Sequence, residues 1–274
     1  MNINFSLFAE GKPKALTMSY DDGVVQDAQL VGIFNKHEIK GAFHINGGLF
    51  GTAGDKQGRP RIPKDEIKQV YEGHEISLHG YTHQSLSVTP NLRIAEEIIK
   101  DKLELESITG EPVRGMSYPN GAVNDTVVEL LTQMGVEYCR KVETTESFDI
   151  PNDFLRWEGT THHKRRLLEL GESFLDNSNS RGWRARLMHV WGHSFEFDEN
   201  NNWDLIEKFC SMVGGKEDIW YATNIEIVDY LKTLRNLKFT ADQKTVLNQS
   251  MIDVWIQVDG EPVKIPGGGI TKIG

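Results

Sequence analysis

The sequence is poor in the features that mark several large classes of protein. Only two of its 274 residues are cysteine, Cys139 and Cys210, and they lie far apart and outside any metal-ligand spacing. We interpret both as free, buried thiols, which are typical of a reducing compartment because disulfide frameworks belong to oxidising ones. A chain of this length buries enough surface to fold without disulfides.

Long apolar runs are also missing, and the densest basic run, residues 162–166, is short. No stretch approaches the ~18 apolar residues that a membrane helix requires. The N-terminal segment carries Glu10 and lacks an unbroken apolar run, so it does not resemble a signal peptide. The formal net charge of −10 argues against nucleic acid, because phosphate neutralisation takes clustered Lys and Arg. We expect a cytoplasmic protein with no membrane or nucleic-acid partner; its oligomeric state is left open.

What the sequence does contain is an alternation of short apolar runs and amphipathic segments. Strand-like runs such as 14–19 and 41–45 are followed by helical periodicity, and about seven such units reach roughly residue 235. This alternation favours parallel strands, and the chain length suits an α/β barrel. We predict a distorted (β/α)7-type barrel.

The end of the chain follows a different pattern. Residues 251–258 alternate like a strand, Asp259-Gly260 is a two-residue hairpin signal, and the chain returns over residues 262–265. We predict a barrel domain over residues 1–242 and a small antiparallel β extension over residues 243–274. The extension should pack on the barrel, because a freestanding hairpin is marginal in water.

Four polar clusters each come directly after a predicted strand. Active sites of parallel barrels collect at the carboxyl ends of the strands, so the convergence of the clusters predicts one site. In chain order the clusters are Ser19-Tyr20-Asp21-Asp22-Gly23, His79-Gly80-Tyr81-Thr82-His83, Ser117-Tyr118-Pro119-Asn120-Gly121 and His189-Val190-Trp191-Gly192-His193. Taken singly, each also has an ordinary explanation as a turn, a surface pair, a loop or a set of polar core positions.

The first two clusters carry the residue types of a metal-dependent hydrolase. Adjacent carboxylates such as Asp21 and Asp22 point in different directions, so one can bind a metal while the other serves as a base. Two histidines four apart, His79 and His83, lie on one face of a helical turn and can share a cation. Two histidines with one carboxylate form a frequent open site for a catalytic metal.

The fourth cluster offers two histidines for one position in the site. Strand alternation puts His189, Trp191 and His193 on the same face. His193 lies nearest to the carboxyl end of its strand, where barrel chemistry occurs, and it is therefore the better candidate.

Taken in order, the clusters resemble the motifs of the NodB-homology polysaccharide deacetylases, a family of carbohydrate esterases, over roughly residues 14–235. The family's T-F-D-D-G is similar to the first cluster and its H-S/T-x-x-H to the second. The resemblance implies that Asp21 is the general base and that Asp22, His79 and His83 hold one divalent metal. Zinc is the expected ion, with Co, Mn, Ni and Fe as alternatives.

The third family motif, R-P-P-Y-G, is altered here to S-Y-P-N-G. The arginine that steadies the base is absent from that position, and either Arg114 or Arg156 is a candidate to replace it. The tyrosine whose backbone N–H builds the oxyanion hole becomes Asn120, which keeps a backbone donor.

The last family motif, L-x-H, implies a catalytic acid that falls on His189 or His193, and the position along the strand favours His193. The candidate substrate-binding residues are Tyr118, Trp157, Trp191 and Arg156. Trp157 is either the aromatic wall of the acetyl pocket or an ordinary core residue. His162 and His163 either line the mouth of the site or begin a solvated helix.

These assignments predict hydrolysis of an N- or O-acetyl group on a carbohydrate, with an acetylated sugar as substrate. Two alternatives stay open at this point. The same barrel and metal could hydrolyse a non-sugar amide of the cyclic ureide or imide type, which the altered third motif allows. A metal-free sugar-binding module is the other alternative, although binding alone would not require the retained Asp21.

Overall fold

The computed structural model describes residues 1–53, 58–177 and 184–274. The strands are β1 Ile3–Asn4, β2 Lys14–Asp21, β3 Gly41–Ile45, β4 Glu75–Leu78, β5 Gly115–Ser117, β6 Tyr138–Thr144, β7 Trp157–Gly159, β8 Thr161–His162, β9 Arg186–Gly192, β10 Ile219–Tyr221, β11 Lys238–Phe239, β12 Thr245–Asn248, β13 Val254–Val258, β14 Glu261–Ile265 and β15 Gly269–Lys272. The helices are α1 Asp27–Lys36, α2 Ile67–Val70, α3 Asn91–Thr109, α4 Asp125–Gln133, α5 Leu167–Leu175, α6 Phe195–Glu199, α7 Trp203–Val213 and α8 Asn224–Arg235.

The barrel strands follow one another around the ring in chain order. Strands β2 to β6 pair in parallel, each with its successor, and β9 pairs with the other edge of β2. The ring is closed by β7 and β8, which pair with β6 and β9 respectively and are separated only by Thr160. Strand β10 pairs with the first half of β2, and β3 pairs with the second half. With β7 and β8 counted as one strand, the predicted seven-stranded barrel is confirmed.

The central strands are apolar because both of their faces are covered. Every residue of β2 is buried, as expected for a parallel strand under helices. Helix α3 ends where Gly110 adopts a φ of 75°, as its glycine predicts. Both cysteines are free and buried, as expected. Among the described residues, no helix combines the length and the apolar character that a membrane span requires.

The interior of the barrel carries a polar network. Nε of Arg140 donates to Oγ of Ser19 at 3.0 Å, and that oxygen lies 2.9 Å from Nε2 of His44. Closer to the amino-terminal end, the hydroxyl of Thr17 donates to the side-chain oxygen of Asn224 at 2.8 Å. The network lies directly beneath the carboxyl ends of the strands, so it can fix the orientation of side chains there.

Two small antiparallel sheets cover the amino-terminal end of the barrel. The hairpin of β13 and β14 is extended by β1, and β12 pairs with β11 and β15. Val246 and Ile256 of these sheets share an apolar cluster with Ala15 and Leu187, at the starts of β2 and β9. The antiparallel part therefore begins at β11, slightly before residue 243, and also recruits the first strand of the chain.

Candidate active site

The carboxyl ends of the barrel strands surround a cavity of about 830 Å³. The four polar clusters meet there, as their positions after the strands predict. They contribute Asp21, Asp22, His79, His83, Tyr118, Asn120, Trp191 and His193 to the wall of the cavity.

Asp21 and Asp22 diverge because the chain leaves β2 in a left-handed turn. Asp22 has a φ of 87° and Gly23 a φ of 65°. A Cβ at Gly23 would lie 2.9 Å from Cγ2 of Ile45, so the turn has room only for glycine. The two carboxylates consequently face different neighbours, Asp21 the barrel interior and Asp22 the histidine pair.

Asp22, His79 and His83 bring one oxygen and two nitrogens together. Oδ1 of Asp22 lies 3.8 Å from Nε2 of His79 and 3.6 Å from Nε2 of His83. One ligand atom from each residue lies within 4.8 Å of the others. Oδ1 is buried and accepts no hydrogen bond from any described residue. A buried oxygen without a partner, facing two imidazole nitrogens, fits a divalent cation.

Arg61 adds a positive charge beside this group. Its Nη1 lies 3.2 Å from Oδ1 of Asp22, outside hydrogen-bond geometry, and donates to the backbone carbonyl of the same residue. Burial alone would raise the pKa of Asp22, but His79, Arg61 and then the other nearby histidines outweigh it, and the pKa is lowered. Asp22 is therefore ionised, the state that metal ligation requires. Arg61 was not predicted, because it stands alone between elements and belongs to no local motif.

The stretch from His79 to His83 is not the helical turn that the spacing suggests. It is an irregular loop in which Gly80 and His83 have positive φ, 75° and 63°. Nδ2 of Asn46 donates to the carbonyls of His79 and Gly80, both at 2.7 Å, and Glu97 accepts two further hydrogen bonds from the loop. These contacts replace the helical ones and hold the two imidazole rings 4.7 Å apart.

Ser117 connects Asp21 to His79. The hydroxyl of Ser117 donates to Oδ1 of Asp21 at 2.9 Å. Because its one proton is used there, Oγ of Ser117 accepts a hydrogen bond from Nδ1 of His79 at 2.7 Å. The Ser117 carbonyl lies 3.0 Å from that nitrogen as well. With its proton on Nδ1, His79 presents an unprotonated Nε2 to Asp22, which is the tautomer that a metal ligand needs.

Ser117→Ala is expected to weaken metal binding about tenfold, the lower end of the usual effect of losing a partner of a ligating histidine. The effect stays at that end because the Ser117 carbonyl still accepts from His79. A zinc titration against a chromophoric chelator measures it. Ser85→Ala is the matched control, because the hydroxyl that it removes bonds Asn120 at the rim of the site. Equal zinc affinity in the two variants would contradict the role given to Ser117.

Asp21 is buried against Arg140. Nη2 of Arg140 donates to Oδ2 of Asp21, its Nε bonds Ser19, and its guanidinium lies over the ring of Trp191 at 4.3 Å. Burial alone would raise the pKa of Asp21, but Arg140, followed by three nearby histidines, lowers it well below its usual range. Asp21 is therefore ionised and held in one orientation.

Arg140 supplies what was expected of Arg114 or Arg156, and that expectation was wrong. Arg114 pairs with acidic residues at a distance from the cavity, and Arg156 pairs with two surface aspartates. Arg140 is the register partner of Ser117 on the neighbouring strand. The arginine that is absent from position 117 is therefore present on the neighbouring strand, at position 140. Motif spacing along the chain does not predict this partner.

Two predicted substrate-binding residues lie outside the cavity. Trp157 is buried, with its ring 4.4 Å from the ring of His189, in the apolar cluster at the amino-terminal end of the barrel. Trp157 is thus an ordinary core residue and does not form a wall of the acetyl pocket. Arg156 is committed to its surface ion pairs. Tyr118 and Trp191 line the cavity as expected.

The two histidines of the last cluster occupy different environments. His189 is buried, and within the described chain neither of its ring nitrogens has a hydrogen-bond partner. Burial, followed by the charge of Arg140, lowers the pKa of His189 well below its usual range. His193 instead lines the cavity, with its Nε2 4.0 Å from Oδ2 of Asp21. Of the two histidines of the last cluster, His193 is therefore the one that can contact a ligand in the cavity.

Glu196, on α6, stands behind His193. Its Oε1 lies 3.6 Å from Nδ1 of His193. Burial alone would lower the pKa of His193, but Glu196 and the two aspartates outweigh it, and the pKa is raised. Helix α6 is five residues long and too short to be predicted from periodicity, so Glu196 was missed.

Comparison with known proteins agrees with this geometry. The sequence profile of the polysaccharide deacetylase family matches residues 9–139. Over this segment the chain is similar to the polysaccharide deacetylase family. The resemblance to the NodB-homology deacetylases is therefore confirmed. The family is metal-dependent, and Asp22, His79 and His83 fit the ion.

A chitin deacetylase from Arthroderma benhamiae is 32% identical to this chain over 122 residues, 43% of this chain and 31% of that protein. The chain thus spans under a third of that relative's length. A polysaccharide deacetylase structure from Mycobacterium smegmatis superposes with a TM-score of 0.61 at 17% identity, covering 85% of this chain and 94% of the other. The Xyl-CE4 domain of a xylanase from the hindgut metagenome of Trinervitermes trinervoides gives 0.54 at 14% identity, covering 80% and 92%. At these identities the two structures support the fold.

Proposed function

We propose that this protein is a metal-dependent hydrolase that removes N- or O-acetyl groups from a carbohydrate. The observation that carries the proposal is the position of Asp21 and His193. An ionised carboxylate and an imidazole with a raised pKa face each other across 4.0 Å, beside the group formed by Asp22, His79 and His83. Metal-dependent hydrolysis of an acetyl group uses such a base, such an acid and such an electrophilic centre together.

The metal would be held by Asp22, His79 and His83. Two imidazole nitrogens and one carboxylate oxygen are a common ligand set of catalytic zinc, which makes zinc the expected ion, with Co, Mn, Ni and Fe as alternatives. When bound, such an ion polarises the acetyl carbonyl and lowers the pKa of water from 15.7 toward ~7.

Asp21 serves as the general base. Arg140 donates a hydrogen bond to Oδ2 of Asp21, and Ser117 donates one to Oδ1. These two bonds fix the carboxylate while it accepts a proton from the attacking water. Its low pKa keeps it ionised across the neutral range. The same low pKa makes it a weak base in isolation, so its contribution comes mainly from position.

The backbone N–H of Asn120 is the proposed donor to the developing oxyanion. Asn120 lines the cavity with a φ of 57°, and its side chain donates to Oγ of Ser85 at 2.9 Å, which fixes the turn. One such donor is typically worth ~3 kcal/mol in the transition state.

His193 is the proposed acid that protonates the leaving amine or alcohol. His193→Gln is expected to slow hydrolysis of an acetamide by about 100-fold or more, and of an activated acetyl ester far less, because a good leaving group departs unprotonated. His189→Gln should mainly cost stability, since His189 is buried against Trp157. Rates for both variants on both substrates test the assignment. A leaving-group-dependent loss in His189→Gln alone would mean that the two histidines are reversed.

The direct test of the function is acetate release from a panel of N- and O-acetylated oligosaccharides, with and without a metal chelator. We expect release that the chelator abolishes and that one equivalent of added zinc restores. Acetylated sugars that stay intact while a cyclic ureide or imide is hydrolysed would overturn the carbohydrate assignment.

A further inference from the structure

A second group of metal-ligand side chains lies next to His193. Nε2 of His162, at the end of β8, lies 3.3 Å from Oε2 of Glu196, and Nδ1 of His193 lies 3.6 Å from Oε1 of Glu196. One ligand atom from each of the three residues lies within 4.8 Å of the others. The group shares no residue with Asp22, His79 and His83, and it uses the nitrogen of His193 that points away from Asp21.

Several buried polar atoms of this group lack hydrogen-bond partners. In the described part of the chain, neither Oε2 of Glu196 nor Nδ1 of His193 takes part in a hydrogen bond. His163, about 1% exposed, places its Nε2 3.0 Å from Oε2 of Glu196, also outside hydrogen-bond geometry. Buried atoms of this kind call for a partner. A divalent cation would satisfy the carboxylate and the imidazoles together.

We propose that His162, His193 and Glu196 form a second, inhibitory site for a zinc-like divalent cation. A nitrogen that holds a metal cannot hold a proton. An imidazole coordinated through Nδ1 therefore stays neutral and carries a single proton on Nε2, where it cannot deliver the proton of an imidazolium to a leaving group. The inhibitory effect rests on the proposed function, whereas the binding does not.

Lys164 sets how readily this second site fills. Its Nζ lies 2.7 Å from Oε1 of Glu196, and its side chain is 39% exposed. The ammonium competes with a metal for Glu196, but it can withdraw into solvent when the metal enters. The second site should consequently fill only after the first, when free metal is in excess.

Zinc titration of the metal-free protein, followed by calorimetry, tests the binding. Wild type should take up two equivalents, one tight and one weak. His162→Gln should lose the weak equivalent, and Asp22→Asn the tight one. Lys164→Met should tighten the weak site by up to about fivefold, the scale of an exposed ion pair. His37→Gln is the matched control, since His37 also faces a glutamate, Glu207 at 3.0 Å, far from the cavity, and it should keep both equivalents.

The inhibition is tested by acetate release at rising zinc concentration, each variant being normalised to its own rate with one equivalent. Wild type should lose at least tenfold in rate as the weak site fills, and His162→Gln should not. One equivalent in wild type, or two in His162→Gln, would overturn the second site and leave the proposed function standing. Two equivalents without hydrolysis of any acetylated sugar would uphold the second site and reject both the proposed function and the inhibition.

Discussion

Asp21→Asn is expected to lower acetate release by about 100-fold or more, the range that removal of a general base usually spans. Zinc binding should survive, because Asp21 is bound to Arg140 and Ser117 and lies outside the group of Asp22, His79 and His83. Measuring kcat/KM together with zinc content separates the two effects.

Asp22→Asn is the matched comparison for this variant. It should lose the tight zinc equivalent and activity together, because Oδ1 of Asp22 is the oxygen that faces the two histidines. If Asp21→Asn hydrolyses its substrate at a rate close to wild type, or loses zinc as Asp22→Asn does, the division of labour between the two aspartates is wrong.

Arg140→Gln is expected to damage both stability and activity. Removing one partner of a buried ion pair leaves an uncompensated charge, which typically costs ~3–5 kcal/mol of unfolding free energy. It also removes the largest influence that lowers the pKa of Asp21, so burial then raises that pKa. Because the base acts only when ionised, the acidic limb of the kcat/KM profile should move to higher pH.

A pH series of kcat/KM and a urea unfolding curve measure these two effects. Arg114→Gln and Arg156→Gln are controls of the same chemical change, and their acidic limbs should coincide with that of wild type. An unchanged acidic limb in Arg140→Gln would remove Arg140 from the role of positioning the base.

The same ion pair makes stability depend on pH. The pKa of Asp21 is lower in the folded protein than the ~3.9 of an unfolded aspartate. Its contribution is therefore fully present above about pH 4 and is lost as the pH falls toward the folded pKa. In Arg140→Gln this acid-side loss should shrink, because the folded pKa of Asp21 moves back toward the unfolded value.

Much of the barrel and of the site was predictable, because both depend on local patterns. Alternation of strands and helices fixes a parallel sheet, and polar residues at strand ends must then converge. The meeting of Asp21, Asp22, His79, His83 and His193 at one cavity was predicted in this way. The closing strand was missed because β7 and β8 are only three and two residues long, too short to show a period.

The residues that escaped prediction act across the sheet or from isolated positions. Arg140, Arg61 and Glu196 belong to no local motif. Each contacts a residue of the site that is distant in the chain, namely Asp21, Asp22 and His162 respectively. The irregular loop from His79 to His83 escaped for a related reason, since Asn46 and Glu97 impose its shape from other elements. The cytoplasmic location and the choice of zinc remain predictions.

The exchange between positions 117 and 140 bears on how inactive relatives of such barrels are diagnosed. A position-by-position comparison records a lost arginine at Ser117, and the family match stops at residue 139, one residue before the replacement. Neighbouring strands lie about 4.8 Å apart, so a long side chain from either partner reaches the same carboxylate. Along the chain the motif is broken, while across the sheet it is complete. The loss of one residue from a linear motif is thus weak evidence that a barrel enzyme is inactive, until its partners in the sheet register have been inspected.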